Sequence, residues 1–263
     1  MMLAFFGALA VGLSLGLLGS GGSILTVPVL IYLLGQDEKT AIAGSLFIVG
    51  AIALAGGAQF AARRQVDWRS VWLFGPPGML GTYAGAWLGG LVSGALQLAV
   101  FSAVMLLAAA LMFKPPALPS EAGERPPGAT ADASTRGAGK VVMDGLLVGV
   151  LTGFVGVGGG FLIVPALVLL GGLPMHLAVG TSLLLIALKS FTGFVKYLDV
   201  LGQLGLHLDW PTVLIVTGVG IAGSFAGRAL GSRISQARLR RLFSLFLVAL
   251  GLFILVSTLP QLF

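Results

Sequence analysis

A ten-residue stretch that occurs twice constrains this chain more than any other feature. The first copy, from Gly19 to Pro28, reads GSGGSILTVP, and the second, from Gly156 to Pro165, reads GVGGGFLIVP. The copies lie 137 residues apart in a chain of 263. Each interrupts a long apolar run with packed glycines and then gives a short apolar segment ending in proline. An internal repeat on this scale organises everything around it, so the chain is read as two related halves.

Composition sets the medium. Charged residues make up 9% of the chain and hydrophobic residues 57%, against about a quarter charged in a soluble domain. Several apolar runs exceed what a buried core helix needs, which predicts an all-α polytopic membrane protein with lipid as its surroundings. The 41 glycines suit closely packed and broken helices in a bilayer. The net charge of +6 comes from basic residues beside the ends of apolar segments. That is the pattern of cytoplasmic loops, and no nucleic-acid partner is expected. There is no cysteine, hence no disulfide or thiol chemistry. The N-terminal run MMLAFFGALAVGLSLGLLG lacks a basic leader and continues into the repeat, so it is read as mature chain rather than a signal peptide.

The halves can be followed segment by segment. The first, residues 1–113, holds a glycine-broken run (3–34) and three apolar segments (40–62, 71–92 and 95–113). Residues 114–140, rich in Pro, Gly, Ala, Ser and Thr, read as a flexible linker. The second half, residues 141–263, repeats the order: a broken run (141–170), then 175–198, 212–230 and 239–259. A loop at 199–209, five residues longer than its counterpart, shifts the register from 137 to 142. Gly81, Gly85 and Gly89 recur as Gly223, Gly227 and Gly231, a four-residue spacing that puts bare backbone on one helix face. Such faces also suit a homodimer. Asp67 and Asp209, each before a tryptophan, read as helix N-caps.

Basic residues decide the topology. If each broken run crossed the bilayer once, the 63–69 loop and the linker would lie opposite the 233–241 cluster. If each is a hairpin that enters and returns, Arg63, Arg64, Arg69, Lys114, Arg125, Arg136, Lys140, Arg233, Arg238, Arg240 and Arg241 share one side, with Lys39 opposite and Lys196 near that boundary. The second arrangement obeys the positive-inside rule. It makes the linker cytoplasmic and both termini external. Three crossings per half is odd, so the halves become inverted-topology repeats, each a broken-helix hairpin followed by three transmembrane helices.

Glycine breaks leave unpaired backbone N–H groups at the start of the returning half-helix, and these with the helix dipole attract anions. Ser20, Gly21, Gly22 and Ser23 in the first copy and Gly158, Gly159 and Gly160 in the second are therefore candidate substrate contacts. Set against this, packed glycines also serve tight turns alone. Lys189 lies about fifteen residues into its apolar segment, where an ammonium costs at least ~2.5–3.5 kcal/mol and needs a partner or a wet cavity. No carboxylate is expected at comparable depth, so a transported anion is the natural counter-charge and no acidic proton relay is foreseen. Ser45 matches Ser182, with Thr181 beside it, and all three are candidate cavity hydroxyls, although such groups often bond within their own helix. Gln59, Lys196 and Arg228 are candidate vestibule residues. His176 and His207 have no paired metal ligands, and neither a metal nor a cofactor is expected. Catalysis has no support: GVGGG is followed by Phe161 rather than Lys, and no histidine is placed to serve Ser20.

The paired G-x-G-G…P stretches, followed by Ala41–Leu46 (AIAGSL) and Ala178–Leu183 (AVGTSL), resemble the TauE/SafE sulfite exporter family. The likeness covers both halves and leaves out the linker. It implies a secondary transporter in the inner membrane that exports small sulfur-containing anions: sulfite, thiosulfate, sulfoacetate or other organosulfonates. The alternatives are an anion channel and, further off, a membrane enzyme.

Overall fold

A computed structural model describes residues 7–13, 23–113, 138–157, 163, 167, 173, 175–231 and 236–261. Apart from short turns these are helical, with no strand among the described residues. In chain order they form α1 (7–13), the short helix α2 (Ser23–Leu33), α3 (Glu38–Ala62), α4 (Trp68–Gly90), α5 (Gly94–Phe113), α6 (Ala138–Val155), α7 (Met175–Leu204), α8 (Trp210–Gly231) and α9 (Gln236–Thr258). Among the described residues, Glu38–Ala62, Leu177–Leu204 and Trp210–Gly227 are long and apolar enough to span a bilayer.

Local chemistry explains where helices begin. Asp37 accepts the Lys39 N–H at 3.0 Å, Asp67 that of Ser70 at 3.1 Å, and Asp209 that of Thr212 at 3.4 Å, each satisfying an orphan donor of the first turn. Pro76 and Pro77 lie inside α4 without ending it. Helix α7 runs six residues past the expected end at 198, so the first part of the anticipated 199–209 loop is helical. Burial accounts for the extension: Val200 and Leu201 are core residues, and Val200 packs on Gly90.

The legs on either side of the first glycine run lie side by side, since Gly7 abuts Val29 and Leu33. A straight helix would separate residues 7 and 29 by about 33 Å at 1.5 Å per residue. Beyond the second run, Ile163 and Leu167 share a core cluster with Val66, Val71 and Ala178, at the end of the molecule where α4 and α7 begin.

Interhelix contacts have a direction. Along α3, Leu46 meets Gly193, Gly50 meets Ser190, Gly56 meets Leu183 and Phe60 meets Gly180, so α3 and α7 run antiparallel. Helix α8 runs parallel to α3, with Val213 near Gly44 and Gly220 near Ile52. Helix α4 runs parallel to α7, from Leu185 beside Gly75 to Val200 beside Gly90. Helices α5 and α9 pack on each other.

The glycine ladder finds its partner in the other half. A β-carbon added at Gly81 or Gly85 would overlap the carbonyl oxygen of Leu146 or Val150 in α6, and one at Gly149 or Gly153 would overlap that of Gly78 or Thr82 in α4. Backbones in such contact gain dispersion and dipole interactions that any side chain would displace. The contacts recur on the related pair: Gly12 of α1 lies against Gly220 and Gly223 of α8, just as Gly149 of α6 lies against Gly78 and Gly81 of α4.

Candidate functional site

Lys189 sits in the middle of α7, about 21 Å from the helix start by the 1.5 Å rise. Its side chain is fully buried and its Nζ has no hydrogen-bond partner among the described residues. The aliphatic stem rests on Gly78, where an added β-carbon would lie 3.1 Å from Cδ. The absence of a side chain at Gly78 therefore makes room for the lysine. The related position in the first half is Ile52, which packs on Gly220 in the same way. One member of a symmetric pair is thus apolar and the other carries an amine.

The expectation that no carboxylate lies near this depth needs correcting. Asp144 is half-buried on α6. It precedes Gly145, whose carbonyl lies 3.6 Å from the β-carbon position of Gly78. The parallel packing of α6 on α4 carries this acid, six residues into its helix, close to the lysine's level. Among the described residues the ion pair recorded is Lys196–Asp199, not one to Lys189.

The remaining candidates occupy other levels. Ser45 donates to the Ile42 carbonyl at 2.8 Å and to that of Gly156 at 2.6 Å, tying α3 to the start of the second glycine run. Gly156 has φ +75°, a left-handed backbone that glycine adopts readily. The peptide oxygen of Phe154 receives the Tyr197 hydroxyl at 3.2 Å. Tyr197 lies eight residues beyond Lys189, about 12 Å along α7. Thr181 lies eight residues to the other side, where its hydroxyl accepts the Asp67 N–H at 2.9 Å. Ser182 donates within its own helix to Val179 at 2.8 Å. Lys189 is therefore central, with Ser45 and Gly156 toward one end of the bundle and Thr181 and Ser182 toward the other.

Ser23 is buried and Gln59 half-buried. Lys196 pairs with Asp199 at 3.4 Å and lies 5.5 Å from the ring centre of Tyr83. An ion pair whose carboxylate side is 58% exposed contributes little. Ser20, Gly21, Gly22, Gly158, Gly159, Gly160 and the Arg228 side chain lie outside the described residues.

Sequence reasoning placed Lys39 in a polar loop. In the fold it is buried, and its Nζ donates to the carbonyls of Gly89 and Val92 and to Gln97 Oε1. The ammonium thus closes the C-terminal end of α4, where free carbonyls and the helix dipole favour a cation. Gln97 passes the network on, donating to the Phe154 carbonyl and the Tyr197 oxygen. Five helices, α3 to α7, meet at this knot. Its only sequence signal was a lone amide in the apolar run ALQLAV. Two more buried groups were missed: the hydroxyls of Thr26 and Ser190, both without a hydrogen-bond partner among the described residues.

A helical membrane bundle with closely interlocked halves and an unpaired central amine has the form of a transporter, and comparison with known proteins agrees. Residues 4–254 match the family model described as Sulfite exporter TauE/SafE, so the chain belongs to that family. A "Probable membrane transporter protein" of Xylella fastidiosa is 33% identical over 250 residues, covering 93% of this chain and 91% of the relative. A second, from Bacillus subtilis, is 30% identical over 244 residues, covering 84% and 83%. A third, from Methanocaldococcus jannaschii, is 25% identical over 261 residues, covering 94% and 93%. No solved structure gives a significant match. The chain is a multi-pass membrane transporter of the TauE/SafE type, not an enzyme.

Proposed function

We propose that this chain is a secondary transporter that exports small sulfur-containing anions, with sulfite, thiosulfate and sulfoacetate or other organosulfonates as the substrate class. Export proceeds by alternating access between two inverted-topology repeats, residues 1–113 and 141–263, joined by a cytoplasmic linker at 114–140. The protein resides in the inner membrane with both termini outside. The family description supports the substrate class. The antiparallel packing of α3 on α7, which are related segments of the two halves, supports the inversion, because two halves of equal orientation would bring these segments together parallel.

The observation that carries the reading is the buried, unpartnered Nζ of Lys189. An ammonium in hydrocarbon persists where a counter-charge visits it, and an anion in transit meets that need. An inside-negative membrane potential drives a monoanion outward with about 2.3 kcal/mol per 100 mV. Proteoliposome flux of sulfite, thiosulfate and sulfoacetate tests the proposal. Wild type should show saturable flux and Lys189→Met should lose most of it. Equal rates for the two would remove the lysine from the mechanism, and non-saturating flux without counterflow would indicate a channel.

A further inference from the structure

Buried hydroxyls in these helices usually bond to a carbonyl three or four residues back, as Ser45, Thr82, Ser182 and Thr217 do at 2.7–2.8 Å. This internal bond lets a helix carry Ser or Thr through an apolar medium with the hydroxyl satisfied. Ser190 and Thr26 depart from the rule. Both are fully buried, and both hydroxyls lack a partner among the described residues. Ser190 follows Lys189 directly, so two of the orphaned polar atoms, which also include those of the Gln36 amide, lie on consecutive residues.

Lys189 and Ser190 lie on one turn of α7, and Thr26 lies on α2, which packs like α7 against α3. Successive residues on a helix project about 100° apart, which turns Lys189 toward Gly78 of α4 and Ser190 toward Gly50 of α3. Thr26 lies on α2, and its neighbours Ile24 and Val27 share a core cluster with Leu46 and Phe194. Phe194 stands one helical turn from Ser190. The internal repeat adds an independent pointer. Under the 137-residue register, Thr26, Lys189 and Ser190 correspond to Ile163, Ile52 and Ala53, all buried and all apolar. Ile163 and Ala53 lie in one core cluster, which is the relation the register assigns to Thr26 and Ser190, while Ile52, the counterpart of Lys189, lies in the adjoining cluster of α3 and α8. The polar set therefore appears in one of two equivalent places, where packing alone demands only hydrocarbon.

We propose that Thr26, Lys189 and Ser190 form the substrate-contacting set: one ammonium and two hydroxyl donors for the oxygens of a single small sulfur oxyanion, with one such site per chain. The inference rests on the transport reading above and names the groups that serve it. Buried donors left unsatisfied are destabilising, and an oxyanion supplies the missing acceptors.

The test uses the full chain in proteoliposomes with sulfite as the probe, comparing Ser190→Ala and Thr26→Val with wild type. Each should raise KM about tenfold, the loss of about 1.4 kcal/mol of binding. Without sulfite, the melting temperature in detergent should hold or rise, since an unsatisfied hydroxyl has been removed; a structural hydroxyl would lower it. Added sulfite should raise the melting temperature of wild type and raise that of the variants less, a readout independent of flux. Ser190→Thr, which keeps the hydroxyl, should hold the wild-type KM, as should Thr217→Val, which removes a hydroxyl bonded within its own helix. Wild-type KM and sulfite response in both Ser190→Ala and Thr26→Val would overturn the assignment. An absence of saturable sulfite flux in wild type would instead overturn the transport reading.

Discussion

Replacing Lys39 with methionine isolates the contribution of the knot at the end of α4. The methionine keeps most of the buried stem and removes the donor. Two carbonyls, those of Gly89 and Val92, then lose a charged partner, and Gln97 loses one of its three contacts. A buried acceptor left unsatisfied costs about 1–3 kcal/mol, and the end of α4 also loses a favourably placed charge worth about 0.3–1 kcal/mol. Release of the buried ammonium opposes these losses. The Val92 bond is only part-buried, which places it low in its range. The net expectation is a loss of about 3 kcal/mol. For a chain of this size that lowers the melting temperature by about 6–12 °C. The four tryptophans report the transition in detergent by intrinsic fluorescence. Gln97→Leu, which takes an acceptor from the Lys39 ammonium and a donor from both the Phe154 carbonyl and the Tyr197 oxygen, should produce a comparable fall. The double variant should lose less than the sum, because the two side chains share a bond. A Lys39→Met protein melting within about 2 °C of wild type would refute the reasoning, since that corresponds to under ~1 kcal/mol.

Other parts of the fold give separate tests. Gly85→Val drives a side chain into the Val150 carbonyl and should cost about 2–3 kcal/mol, read as a lower melting temperature, whereas Gly218→Ala, with nothing within 4 Å, should be neutral or stabilising. Lys196→Met breaks the pair with the exposed Asp199 and the contact with the Tyr83 ring, and should stay within about 1 kcal/mol of wild type. Single cysteines at Arg63 and Gln203, in a chain with none of its own, should be labelled from opposite sides of the membrane by an impermeant maleimide. Labelling of both from one side would contradict the three-crossing topology.

Much of this molecule was legible locally. Hydropathy and period marked the helices, and Asp67 and Asp209 marked two of their starts, because a cap is settled within four residues of chain. The spacing of Gly81, Gly85 and Gly89 revealed a face built for close approach, and the basic residues implied that the broken runs fold back. The candidate site was legible only at Lys189, where a charge inside an apolar run is visible in one dimension.

The rest depended on which segments cross. The ladder's partner is α6, more than fifty residues away, and nothing in the ladder specifies it. Lys39 reads as a loop charge because its acceptors, at 89, 92 and 97, meet it only when α3 packs beside the end of α4. Asp144 escaped notice for the same reason, its depth being set by how α6 rises beside α4. Ser190 and Thr26 differ from other buried hydroxyls only in lacking a bond, and an orphaned group can be recognised only once every possible partner has a position. By itself the sequence determined a duplicated, glycine-broken membrane chain with one deep amine. Tertiary packing alone decided what that amine and its neighbours face, because a side chain's partners in a bilayer come from the helices folded against it.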